Sequence, residues 1–166
     1  MPDVLRRFAE ITPVPWRNGG GTTVELIDED RSTTLTPGLR WRLSIAHLTA
    51  PGPFSAFPGQ VRTLIPWEGD IVLSVDDEFR HVGAGEAVRF PGDARTHLVE
   101  LTAPCYAVNL MASGPDPTFE VVIAGHVATQ DSVAIAIAGN ADASRFDVIA
   151  VRANELMPVP GILLRP

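Results

Sequence analysis

VRTLIPWEGDIVLSVDDEFRHVGAGEAVRFPGDARTHLVELTAPCYAVNLM, residues 61–111, decides the fold. Runs rich in β-branched and apolar residues (Val61 to Ile65, Ile71 to Val75, Phe79 to Val82, Glu86 to Phe90, Thr96 to Leu101, Tyr106 to Met111) are broken by turn clusters. Those clusters are Trp67-Glu68-Gly69-Asp70, Gly83-Ala84-Gly85 and Pro91-Gly92-Asp93. Turn signals at intervals of about 8–12 residues predict a β-meander inside an antiparallel sandwich or barrel. Working outward, Trp41 to Thr49 alternates cleanly: Trp41, Leu43, Ile45 and His47 share one face, Arg42, Ser44, Ala46 and Leu48 the other. Thr22 to Ile27 and Val4 to Phe8 are strand-like, and Asp28-Glu29-Asp30 reads as the turn that closes the former. Ser113-Gly114-Pro115-Asp116-Pro117 marks an internal boundary, after which Phe119 to Ala124, Val133 to Ala138 and Asp147 to Val151 resume the strand pattern. An all-β, double-sheet jelly roll accommodates this order. We expect two modules: residues 1–111 as a first β-barrel, and 112–166 as a smaller β module packed on it.

Composition narrows the function classes. Gly and Pro (14 and 15 of 166 residues) punctuate the chain too densely for a helical bundle. The net charge of −7, with no basic stripe, argues against a nucleic-acid partner. Every one of the 13 basic residues is Arg, so Schiff-base and P-loop lysines are excluded. Cys105 alone supports neither a disulfide nor a thiolate cluster. No apolar run suggests a signal peptide or a membrane span, and we expect a cytoplasmic protein with no membrane partner.

The 61–111 stretch and the residues before it resemble the frame of a metal cupin without its ligands. Phe54-Ser55-Ala56-Phe57-Pro58 stands where paired histidines belong, and Arg62 where a glutamate belongs. A metal needs three or four converging donors, which His97 cannot supply, so we expect neither metal nor other cofactor. An arginine in a low-dielectric pocket must face a carboxylate, either the protein's own or a ligand's. Alternatively, Arg62 lies on the solvent face, with Val61, Thr63 and Ile65 as the inward set. In Trp16-Arg17-Asn18-Gly19-Gly20-Gly21 the glycine run fits a loop lining a pocket mouth, or simply a tight chain reversal. On the first alternatives, the anion site comprises Trp16 and Phe54 as apolar walls, Arg62 as the charge, and Asn18, Ser44 and Asn109 as hydrogen-bonding groups, with Arg42 and Glu25 beside them. Glu25 and His47 are the nearest acid–base candidates for a metal-free, isomerase-like enzyme.

Four ordered blocks resemble the HutD/Ves family: Trp16 to Glu25, Trp41 to Ala46, Gly52 to Gly59 with Arg62, and Val108 to Met111. The resemblance implies a cupin-like (RmlC-like) compact bicupin lacking the usual metal. It also implies a protein that modulates histidine utilisation through a small anionic metabolite such as urocanate or formylglutamate, or, in the Ves branch, takes part in stress response. Whether the chain is an enzyme stays open, as does a protein-interaction role. A homodimer is compatible with this reading.

Overall fold

The computed structural model describes residues 2–165. Its elements in chain order are β1 (Asp3–Arg6), β2 (Val14–Pro15), β3 (Gly21–Ile27), α1 (Glu29–Leu35), β4 (Trp41–Leu48), β5 (Gly52–Pro53), β6 (Val61–Trp67) and β7 (Ile71–Val75). They continue with β8 (Glu78–Val82), β9 (Val88–Pro91), β10 (Thr96–Leu101), β11 (Cys105–Ala112), β12 (Thr118–Val122), β13 (Ser132–Ala136), β14 (Val148–Val151) and β15 (Gly161–Arg165). A 3-10 turn at Phe8–Glu10 lies between β1 and β2. None of the described helices is long and apolar enough to cross a membrane.

Three sheets form three layers. A six-stranded sheet, β2-β3-β4-β11-β6-β9, lies in the middle. On one side a four-stranded sheet, β5-β10-β7-β8, closes a jelly roll over a core of Leu48, Leu64, Leu73, Phe90 and Leu98. On the other side a five-stranded sheet, β1-β14-β13-β15-β12, packs through Ile135, Phe146, Val148 and Ile162 on Trp41, Leu43, Ile45 and Ile65. The alternation read in β4 therefore separates two interiors rather than core from solvent. The same holds for β6, where Arg62 and Leu64 face the roll while Ile65 joins the outer core.

The meander expectation is corrected. β6 and β7 do not pair; they lie in different sheets, and β6 pairs with β9 and β11. Within 61–111 only β7 and β8 form a tight hairpin, with Asp76 and Asp77 at φ 49° and 67° as a primed two-residue turn. Turn residues fix where the chain reverses. The two-sided burial of β6 and β11 decides that both sit mid-sheet.

Asp28-Glu29-Asp30 is not a plain turn but the start of α1. Asp28 caps it by accepting from the Arg31 N–H at 2.8 Å. The helix serves the fully buried Trp41, whose indole N–H donates to Thr36 Oγ1 at 2.7 Å and whose backbone N–H donates to Ser32 Oγ at 3.0 Å. Both polar groups are thereby satisfied inside the core, where each would otherwise cost about 1–3 kcal/mol.

β1 pairs antiparallel with β14, so the N-terminal strand completes the C-terminal sheet and crosses the expected boundary between 1–111 and 112–166. Buried Asp147 ties this corner down, accepting from Arg7 Nη1, Phe8 N and Ser144 N, each at 3.0 Å.

Candidate functional site

The mouth of the roll is built by three segments. The first is the glycine loop between β2 and β3. Gly19 takes φ +73°, and Gly21 lies so close to β4 that a Cβ would fall 2.4 Å from the His47 carbonyl oxygen. Only glycine permits that approach, and it brings Trp16 over the cavity, its indole N–H held by Thr23 Oγ1 at 2.7 Å. Asn18 pins the loop: its Oδ1 accepts from Gly20 N at 2.9 Å and its Nδ2 donates to the Pro53 carbonyl at 3.3 Å. The second segment is 53–60, carrying Phe54 and Phe57; Phe54 packs edge-on against Trp16 at 5.9 Å. The third is the inner face of β4, β11 and β6.

These segments enclose a cavity of about 580 Å³, lined mostly by apolar side chains. Within it lie six of the eight residues expected at the site: Trp16, Asn18, Arg42, Phe54, Arg62 and Asn109. Ser44 is buried behind the lining, where its Oγ accepts from Asn109 Nδ2 at 3.3 Å. Glu25 stands outside the cavity wall, ion-paired to Arg42 at 2.5 Å. It does not meet His47, which lies across the sheet stacked on Tyr106 at 4.7 Å, so the expected acid–base pair does not converge. Phe57, Ser55 and Arg17 also line the cavity and were not anticipated. Phe57 was legible as the aromatic three residues from Phe54 in the segment that replaces the cupin histidines.

Arg62 is the electrostatic centre. It is 6% exposed, and no carboxylate pairs with it among the described residues. Its Nε and Nη2 donate to Asn109 Oδ1 at 3.4 and 3.3 Å, and its Nη1 to the Ser55 carbonyl at 3.4 Å. All three bonds are longer than the 2.7–2.9 Å of a well-made charge-assisted bond. The rings of Phe54, Phe90 and Phe57 surround the guanidinium at 5.0, 5.5 and 5.6 Å. Burial lowers its pKa to about 10. The guanidinium is thus largely desolvated, and its described hydrogen-bond partners are all neutral.

A shallower groove of about 310 Å³ lies on the four-stranded sheet beside Asp70, His81 and Glu86. Its Asp70 and Glu86 carboxylates already accept from Ala84 N and Gly83 N, each at 2.9 Å. No group of three or more His, Cys, Asp or Glu side chains among the described residues is placed to hold a metal ion.

A cupin-like jelly roll with an arginine at the heart of its pocket is the class that fold and site define. The sequence of the family described as HutD matches residues 8–143, and the chain belongs to that family. An uncharacterized 21.2 kDa protein encoded in the hutC 3′ region of Pseudomonas putida is 42% identical over 93 residues, 55% of this chain and 48% of the relative. The match thus spans about half the length of that curated relative. The structure of HutD from Pseudomonas fluorescens (formate condition) superposes with a TM-score of 0.76 at 25% identity, covering 96% of this chain and 95% of that one. A predicted oxalate decarboxylase from Thermotoga maritima shares the fold alone, with a TM-score of 0.53 and 14% identity over 66% of this chain and 98% of its own.

Proposed function

We propose that this protein binds a small carboxylate in the roll without a metal, Arg62 gripping the acid while Trp16, Phe54 and Phe57 enclose its apolar body. The observation that carries the reading is the buried Arg62 guanidinium, with no counter-charge among the described residues, at the base of a ligand-sized cavity. The Pseudomonas fluorescens HutD structure comes from a formate condition, and formate is the smallest carboxylate. The Pseudomonas putida relative lies beside hutC, which supports an acid of histidine breakdown as the ligand and modulation of that pathway as the role. Urocanate and formylglutamate are therefore the first acids to test, and the binding reaction belongs in the cytoplasm.

The cavity favours binding over catalysis. Its lining holds no His, Asp or Glu to move a proton, since Glu25 lies outside it and His47 on the far face of β4. The test is calorimetric titration of both acids into wild type and Arg62→Met. Losing one hydrogen-bonded buried charge contact costs about 2–5 kcal/mol, at least roughly thirtyfold in affinity. Equal binding by the two proteins would remove Arg62 from the site.

A further inference from the structure

We propose that the free edge of β8 docks a second copy of this chain, the two β8 strands pairing antiparallel about a two-fold axis through Phe79. The inference stands apart from the carboxylate reading. β8 closes the four-stranded sheet at the edge opposite β5, three strand spacings or roughly 14 Å from the strand that holds the pocket mouth. It is a regular edge. Its five residues pair with β7 without interruption, from Glu78 opposite Val75 to Val82 opposite Ile71, and include no Pro or Gly. Most other edges are guarded: β2 and β5 are two residues long and carry Pro15 and Pro53, β9 ends in Pro91, and β1 shifts register between Val4 and Arg6.

The hairpin decides which backbone groups face the free edge. A two-residue turn closes on a hydrogen-bonded pair, here Val75 and Glu78, and the ladder alternates from there. The N–H and C=O of Phe79 and His81 therefore point away from β7. The Asp76 N–H, next to Val75, follows the same alternation and donates to the Arg95 carbonyl at 2.9 Å on the β10 side. Phe79 also presents its ring, 67% exposed, the only exposed aromatic side chain among the described residues. Phe79 of each copy can thus exchange both backbone hydrogen bonds with the other, with the two rings side by side on one face.

Charge selects both the partner and the register. About an axis through Phe79, Glu78 stands opposite the partner's Arg80, and Arg80 opposite the partner's Glu78. Moving the axis by one residue sets Arg80 against Arg80 or Glu78 against Glu78, which repel. Both side chains are available: within one copy Arg80 Nη2 and Glu78 Oε2 are 3.9 Å apart, and Glu78 is 79% exposed. β12, the remaining regular edge, has a single charged residue, Glu120, so no two-fold register of it joins opposite charges. Two strands of five residues and two rings make a contact smaller than the roughly 1,200 Å² of stable complexes, so the dimer exchanges with monomer.

The experiment is sedimentation velocity from about 10 µM to about 1 mM, a range that brackets weak association. The proteins are wild type, Arg80→Glu and the double variant Glu78→Arg, Arg80→Glu, each checked by thermal melting. Amide hydrogen exchange of wild type runs at the two ends of the range. Wild type should shift from monomer to dimer, and the Phe79 and His81 amides should gain protection with concentration. Arg80→Glu opposes carboxylates across the axis and should weaken the dimer at least about tenfold. The double variant exchanges the two signs and should restore association to within about threefold of wild type. A wild type that stays monomeric overturns the proposal. So does a dimer that leaves the Phe79 and His81 amides unprotected, that Arg80→Glu does not weaken, or that the charge exchange does not restore.

Discussion

Replacing Arg62 with Met should make the protein more stable. Burial brings the Arg62 pKa down from the ordinary arginine value to about 10. At 1.36 kcal/mol for each tenfold change in proton affinity, this amounts to roughly 3 kcal/mol against the charged form in the folded state. Proton counts set the direction in pH. Below about pH 10 both states carry the proton and the full cost is present. Above about pH 10 the folded protein releases it first, the unfolded chain holds more protons, and stability rises with pH until the unfolded chain titrates too. At pH 7 the cost is therefore undiminished. Contacts with three phenylalanine rings and three long hydrogen bonds return part of it. Met retains an apolar stem for those rings, while Asn109 and Ser55 border the open cavity and can take water. The net gain should be about 1–2 kcal/mol, or a rise of about 2–8 °C in Tm for a domain of this size. The assay is thermal melting at pH 7 in a carboxylate-free buffer. An Arg62→Met protein that melts at or below wild type would show that the protein itself already satisfies this cation.

Gly21→Ala should cost about 1–3 kcal/mol and weaken ligand binding, because the new Cβ would lie 2.4 Å from the His47 carbonyl oxygen and the backbone of the loop that carries Trp16 must shift; urea midpoints and carboxylate titrations measure the two effects. Cys105 is buried, and burial first, then Asp70 and Glu68, pushes its thiol pKa up. It should not react with a thiol reagent at pH 8 in the folded protein and should react fully in guanidinium.

The strands were legible where side-chain alternation and turn residues coincide, as in Trp41 to Leu48 and Ile71 to Val75. Their partners were not, because hydrogen-bonding neighbours depend on which faces are buried, and β6 and β11 are buried on both. α1 escaped notice because Thr33 and Thr34 are weak helix formers and the segment spans only seven residues. β15, beginning at Gly161 just after Pro160, carried no alternation. At the site, period-2 reasoning put Arg42 and Ser44 on one face, and the structure agrees. It could not tell that Asn109 would lie over Ser44, or that Glu25, on a neighbouring strand, would bind the outer side of Arg42. The position of Arg62 was undecidable from sequence because its neighbours Thr63 and Ile65 are equally buried, toward the other core.

The pairing of β1 with β14 has a consequence for synthesis. Val4 emerges from the ribosome 145 residues ahead of its partner Ile149. At about 5–20 residues per second, Leu5 and Val4 wait roughly 7–30 s for the sheet that will cover them. Within that interval the 61–111 stretch can already close its roll over Leu73 and Leu98, while the outer face of β4, with Trp41 and Leu43, stays uncovered. The nascent chain thus carries two exposed apolar surfaces, 3–6 and the back of the central sheet, that are quenched together only when the last strands arrive.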